Sequence, residues 1–410
     1  MRLPFERPAV PGATLREAWK DFGGLYAANA VVGFLFACTG PVAIILSAGT
    51  RGGLTESDLA SWVFAGFFLN SLISIVFSLR YRQPLVFFWS IPGTVLVGPA
   101  LLHLKFPEVI GAFVMAGLVM LLLGLTGWVR RAMEAVPMPI VMAMVAGVFL
   151  RFGVDLVHAF RSDIVIALPM TAVFVLITAR PAWFRGVPPL IGALVVGALA
   201  IAVSGRFNAP AGALFGVAHP NLYTPQFSWA AMLELVVPLV ITVLAVQNAQ
   251  GVAILTGNGH RPPVNAITLA CGFGAIVTGL TGAVSTCLTG PVNAVISTSG
   301  EKARQYTAGM FVAVLGLAFG LLAPTFTRLM LAAPPAFIAT LAGLAMLRVL
   351  QGAFTTAFRE HHTLGALVCF VVTVADVSIF SIGAAFWGLV FGLATTRLLE
   401  PVPPAAGNGK

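Results

Sequence analysis

Between Gly24 and Arg397 the chain is a near-continuous succession of apolar runs, most of them about as long as a bilayer is thick and ended by Gly, Pro or a charge. A membrane-crossing helix needs roughly 20 predominantly apolar residues. Of the 410 residues 59% are apolar and 9% charged, with mean hydropathy +0.97, far more apolar surface than one soluble core can hide. The chain therefore reads as an all-α polytopic membrane protein with no room for a separate soluble domain.

Seven runs lie near 25–48, 59–79, 84–102, 108–128, 137–154, 163–179 and 187–204. After a stretch containing Pro, Asn and His, seven more lie near 229–256, 264–281, 283–298, 305–323, 335–354, 363–376 and 379–397. Pro324 to Pro335 is open to a different fold. The expectation is 14 transmembrane segments: a cytoplasmic N-terminal segment (1–24), spans 1–7 (25–205), an extracytoplasmic linker (206–227), spans 8–14 (228–398) and a cytoplasmic tail (399–410).

Charge supports this count. With both termini cytoplasmic, 17 of the 23 Lys and Arg fall on the inner side, and Arg51, Lys105, Arg151, Arg161, Arg206 and Arg328 fall outside. That is the bias of the positive-inside rule for an inner (plasma) membrane protein, and an odd span count would destroy it. The basic excess is thus a topology signal, and nucleic acid is not an expected partner. The first 24 residues lack the apolar region of a signal peptide. Thr14 and Glu17 form a capping-box pattern, with Leu15, Trp19 and Phe22 on one face of a short interfacial helix. Cys38, Cys271, Cys287 and Cys369 sit in apolar runs without metal or disulfide spacing.

A weak internal repeat relates the halves. Gly40-Pro41-Val42-Ala43-Ile44-Ile45 in span 1 matches Gln250-Gly251-Val252-Ala253-Ile254-Leu255 in span 8, and Ser90-Ile91-Pro92 in span 3 matches Thr289-Gly290-Pro291 in span 10. Seven is odd, so the second half enters the membrane from the opposite side and the repeat is inverted, as in many secondary transporters.

Spans 3 and 10 are short and interrupted. Each is expected to run extended and then begin a half-helix at its Pro, with Ser90 and Thr289 near the caps and free N–H groups at membrane depth. Non-helical backbone there must be buried in protein or line a watery cavity. Two such N-termini facing each other form an anion site without a lysine or arginine. The candidate substrate-binding residues are Ser90, Ile91, Pro92, Gly93 and Thr94, with Thr289, Gly290 and Asn293, and the span 8 carboxamides Gln247, Asn248 and Gln250. At helical spacing Gln247 and Gln250 share a face and Asn248 points about 100° away. Interhelical hydrogen bonding is the other use of such residues. Phe87, Phe88 and Trp89 are packing or lipid-facing residues, with Phe87 or Phe88 open to lining a slot for a flat ligand.

Glu234 and Asp376 are the carboxylates most nearly embedded in apolar sequence, and no histidine lies at a span centre. A midplane relay is missing. The proton is then expected to enter with the substrate carboxylate or through water near Gln247 and Asn248, with Glu234 and Asp376 serving structure or gating. No Walker A, His-Glu-x-x-His or Gly-x-Ser-x-Gly pattern occurs, so an enzyme is not expected and no cofactor or metal is implied.

Over nearly its whole length the chain resembles the benzoate membrane transport (BenE) family. The match is carried by Pro84-Leu85-Val86-Phe87-Phe88-Trp89-Ser90-Ile91-Pro92-Gly93-Thr94, by Gln247 to Leu255 followed by Asn258-Gly259, and by Gly383 to Leu389. The resemblance implies the fold of nucleobase and sulfate transporters, with a core domain of spans 1–4 and 8–11 and a gate domain of spans 5–7 and 12–14. It also implies symport of benzoate or a similar aromatic carboxylate with a proton. Many family members carry a Gly-His pair before the Asn matching Asn293, where this chain has Gly290-Pro291-Val292. An inorganic anion (sulfate or bicarbonate) exchanger on the same fold and a passive anion channel are the alternatives. The partners expected are a small organic anion, protons and the lipid bilayer, with a homodimer left open.

Overall fold

The computed structural model describes residues 6–129, 137–184, 187–208, 213–298, 300–359, 361–377, 379–380 and 382–400. Arg2, Arg130, Arg131, Arg185 and Lys410 of the charge split, and the expected tail beyond Glu400, lie outside the described residues.

The chain opens with α1 (Leu15–Asp21), whose Thr14–Glu17 capping box forms as expected. Next come α2 (Gly24–Arg51), α3 (Glu56–Tyr81), the short strand β1 (Phe87–Trp89), α4 (Ile91–Ala100) and α5 (Phe106–Thr126). α6 (Met138–Ser162), α7 (Ile164–Ala179) and α8 (Pro189–Ser204) follow. Beyond an extended linker come α9 (Trp229–Gly257), α10 (Val264–Leu280), β2 (Thr286–Leu288), α11 (Gly290–Ile296) and α12 (Tyr306–Leu321). The chain continues through α13 (Ala323–Leu331), α14 (Pro335–Ala357), α15 (Thr363–Ala375) and α16 (Ala384–Leu399).

Among the described residues, α2, α3, α5, α6, α9 and α14 are by length and composition 6 helices able to cross a membrane, or 7 if the segments Lys302–Leu321 and Ala323–Leu331, bent by 68°, count as one span. The stretch from Pro324, open in the sequence, is the separate helix α13. α6 runs eight residues beyond the expected end of its span, so Arg151, Asp155, His158 and Arg161 stand on a helix. α2 breaks at Thr39, whose backbone leaves the helical region one residue before Gly40-Pro41. α3 and α9 contain π-helical turns, at Ala65–Leu69 in the first and at Met232–Val236 and Thr242–Asn248 in the second.

Hydrogen bonds at the helix ends define two opposite faces. On one, Glu6 caps α10 through the amides of Asn265 and Ala266, the Ala13 amide donates to Leu79 at the end of α3, and Tyr306 at the start of α12 donates to Asp21. On the other, the linker bonds through Ala218 to Leu321 at the end of α12, through Asn221 to Ser61 near the start of α3, and through Tyr223 to Leu280 at the end of α10. The helices α3, α10 and α12 therefore each run from one face to the other.

Buried apolar side chains gather in two large clusters and a small third one among the described residues. The first draws on Tyr26 to Val129 and Ala231 to Ala323, with Trp62, Phe67 and Phe113 fully buried. The second draws on Ile140 to Ile201 and Ala333 to Leu389, and takes only Ala43, Ile44 and Val95 from the earlier part of the chain. Helices meeting in lipid gain little from apolar burial as such, so each cluster holds together by close packing, and Phe36, Val148, Met330, Ile338 and Ala385 pack against both.

Candidate functional site

The strands β1 and β2 pair antiparallel, with Phe87 opposite Leu288, Phe88 opposite Cys287 and Trp89 opposite Thr286. Each strand enters its helix two residues later through a Pro near the helix start. The pair lies fully inside the protein, so every backbone group needs a partner. Side chains from distant segments supply several. Asn293 bonds both backbone groups of Val86, Ser74 Oγ accepts the Phe87 amide at 2.8 Å, and Asn248 Oδ1 accepts the Leu288 amide at 2.8 Å. Asn70 Oδ1 accepts the Thr286 hydroxyl at 2.7 Å.

Ser90 and Thr289 both occupy N-cap positions, but unequally. Ser90 Oγ accepts the Gly93 amide at 3.1 Å, and the Thr94 hydroxyl donates to the Ser90 carbonyl at 3.0 Å, so α4 is capped from within. Thr289 makes no side-chain cap bond. The ladder continues from the Ser90 amide to the Ser285 carbonyl and from the Thr289 amide to the Val86 carbonyl. The two caps thus stand at opposite ends of the ladder, four residues or about 13 Å apart along it. One carboxylate cannot reach both cap hydroxyls, which narrows the simple picture of two N-termini sharing an anion.

The carboxamides divide differently from the helical expectation. Gln247 and Asn248 are both buried and Gln250 is exposed, because the π-helical turn ending at Asn248 changes the rotation per residue. Asn248 is committed to β2. Gln250 lies over Gly290, where a Cβ would come within 2.6 Å of its Oε1, so glycine is what admits the side chain there. Gln247 has no protein partner for its amide among the described residues. Phe87, Phe88 and Trp89 are buried against one another's neighbours, with Phe67 packed on both Phe88 and Trp89 and Phe77 on Phe87. Their rings fill the core of the first cluster.

A cavity of about 550 Å³ opens between the two clusters. Its walls come from α2, α4 and α9 on one side and from α6, α15 and α16 on the other, with Arg51, Arg151, Glu234 and Asp376 supplying the charge. Glu234 is 5% exposed and its Oε2 accepts from His103 Nε2 at 2.8 Å. Asp376, expected to be embedded, has a side chain 48% exposed and pairs with Arg151 at 3.4 Å, since it caps α15 at the cavity mouth. Sequence reasoning missed the His103 to Glu234 pair. The partners are 131 residues apart, and His103 reads as an ordinary loop residue.

Comparison with known proteins places these features in a family. The family model described as benzoate membrane transport protein, BenE, matches residues 24–398. The inner membrane protein YdcO of Escherichia coli is 30% identical over 370 residues, 88% of this chain and 93% of that protein. The benzoate membrane transport protein of Acinetobacter baylyi is 27% identical over 394 residues, 95% and 98% of the two chains. Among solved structures, the transmembrane domain of a cyanobacterium bicarbonate transporter, BicA, superposes with TM-score 0.59 at 17% identity, covering 89% of this chain and 97% of that one. The murine Solute Carrier 26 family member A9 anion transporter, inward-facing, gives TM-score 0.62 at 13% identity over 91% and 68%. These likenesses in structure establish a shared fold.

Proposed function

We propose, from the premise that the chain belongs to the benzoate membrane transport protein (BenE) family, that it is a secondary active transporter carrying benzoate or a similar small aromatic carboxylate together with a proton across the inner membrane. The observation that carries this reading is the pair of strand–helix units meeting antiparallel inside the molecule, each with a polar cap residue and a Pro at the same spacing. Such a unit belongs to an inverted repeat of seven spans each, 25–205 and 228–398, with both termini cytoplasmic and the 206–227 linker outside. Its support is the charge split and the two opposite faces defined by the N-terminal segment and the linker. The first apolar cluster then corresponds to a core of spans 1–4 and 8–11 and the second to a gate of spans 5–7 and 12–14, and transport is movement of the core against the gate.

Within this reading the carboxylate sits at the Thr289 end of the ladder. Thr289 and Gln250 keep polar atoms free there, whereas Ser90 is occupied in capping α4 and Asn248 and Asn293 hold the strands. Gln247 is the third polar group left to meet substrate or its water. Ile91, Pro92, Gly93 and Thr94 shape the opposite wall.

The second reading, an exchanger of inorganic anions such as bicarbonate or sulfate, is favoured by the BicA and Solute Carrier 26 likenesses. Purified protein in liposomes separates the possibilities. Uphill benzoate accumulation driven by a pH gradient supports symport, and competition by bicarbonate or sulfate but not by benzoate supports the exchanger. Downhill flux alone would leave a passive channel.

A further inference from the structure

Among the described residues, two polar contacts span the cavity between the two apolar clusters. Arg51 at the end of α2 pairs with Asp155 on α6 at 2.5 Å, and Glu234 on α9 meets Gly383, the cap of α16. At the second bridge Oε1 of Glu234 packs so closely on Gly383 that no Cβ would fit, and the Gly383 amide faces the carboxylate. Its Oε2 is held by His103. A buried carboxylate facing a backbone N–H makes a charge-assisted contact, roughly twice as strong as the neutral one. Glu234 is thus a grip between the two clusters whose strength depends on its charge.

We propose that the Glu234–His103 pair is a proton-operated latch on the linker-side cavity, closed while the pair carries one negative charge and released when it takes up one proton. The proton comes from the water that reaches the cavity and adds to the Glu234 carboxylate. The pair becomes neutral, and the Gly383 amide loses its anionic acceptor. The charged groups on the elements packed around the pair are Asp376 beyond α15 with its partner Arg151 on α6, Arg51 at the end of α2 with Asp155 on α6, and Lys105 and Glu108 at the start of α5. Glu108 is already engaged by the Lys105 amide at 2.9 Å. α4 carries no ionisable side chain, and Arg397 on α16 lies at its far end. Asp376 is the anion whose field favours proton uptake.

The latch rests on the transport reading for its purpose, but not for its test. Ala384→Cys places a thiol in the cavity wall beside Gly383, where Ala384 is 5% exposed. Its reaction with a membrane-impermeant maleimide, divided at each pH by the rate of the same thiol in the unfolded protein so that the loss of thiolate cancels, should rise about threefold or more from about pH 7.5 to about pH 5.5. With Glu234→Gln added, this normalised rate should be high at both values. In liposomes the same Gln variant should exchange substrate with little pH dependence yet still accumulate it on a pH gradient. Labelling independent of pH in the parent, or an unchanged pH response in the Gln variant, overturns the latch. Exchange without accumulation would overturn it too, making Glu234 the coupling site. If no aromatic carboxylate is carried at all, the transport reading fails while the labelling result still judges the latch.

Discussion

Asn293 and Val86, 207 residues apart, exchange two hydrogen bonds: Asn293 Oδ1 accepts the Val86 amide at 3.1 Å and its Nδ2 donates to the Val86 carbonyl at 3.2 Å. A single side chain on α11 thereby fixes the residue that leads into β1. Asn293 is a candidate substrate-binding residue by sequence, and here its side chain is engaged in joining α11 to β1. Without Asn293 the Val86 carbonyl keeps the Thr289 amide as donor, but the buried Val86 amide is left unpaired, at a cost of about 1 to 3 kcal/mol. Asn293→Ala should lower stability by about 1 to 3 kcal/mol, read as a lower melting temperature in detergent. An unchanged melting point would show that the strand pair does not depend on this contact.

Thr289 and Gly290 test the substrate position without touching the strand ladder. A charge-assisted hydrogen bond is worth about 1.5 to 3 kcal/mol, so Thr289→Ala should weaken benzoate binding roughly tenfold or more. Thr289→Asp should abolish it by repulsion. Gly290→Ala displaces the flexible end of Gln250, which should weaken binding with little effect on folding. Calorimetric titration of the purified variants reads all three, and wild-type affinity in the Asp variant would place the anion elsewhere.

Much of this architecture is legible in the sequence because the bilayer allows few solutions. Apolar runs give the helices, and the Ser90-x-Pro92 and Thr289-x-Pro291 patterns locate both N-caps to the residue. The pairs that hold the site are not legible. Asn70 to Thr286, Asn248 to Leu288 and His103 to Glu234 join segments with no local signature of each other. The helical wheel fails at Gln247 to Gln250 because an apolar sequence does not announce a π-helical turn, and only the fold shows that Ser90 and Asn293 are already occupied.

Topology can be checked at Asn208, whose amide bonds to the Ala332 carbonyl at 3.0 Å at the linker's start. Asn208→Cys, on a background without other cysteines, should react with an impermeant reagent applied from outside the cell. Labelling only from the cytoplasmic side would reverse the orientation and remove the inverted-repeat reading.

On the face of the N-terminal segment, two groups outside the helical spans set different pH limits. Burial holds the His260 pKa below its ordinary 6.5, against the opposing hydrogen bond to Gln305, so the folded protein binds fewer protons than the unfolded chain. This contribution is present above 6.5 and is lost as pH falls through the lowered value. Glu17 is pulled down to about 2 by the Thr14 amide and by Arg82, so its contribution persists to far lower pH. Between about pH 8 and about pH 5, His260→Gln should therefore flatten the pH dependence of the melting temperature, and Glu17→Gln should leave its slope unchanged. Equal slopes in the parent and the His260 variant would refute the assignment.

Asp376 is the last carboxylate on the cavity, and its geometry argues against a coupling role. With both side chains about half exposed, its 3.4 Å pair with Arg151 is of the kind worth about 0 to 1 kcal/mol. A coupling group must exchange protons between the two sides, whereas Asp376 stands at the mouth, open to one of them. Its charge instead biases the Glu234–His103 pair toward the protonated, released form. Asp376→Asn should keep pH-driven accumulation in liposomes and shift the pH at which cavity labelling rises toward lower values. Loss of accumulation with exchange intact would make Asp376 the coupling residue, and an unshifted labelling profile would show that it does not act on the latch.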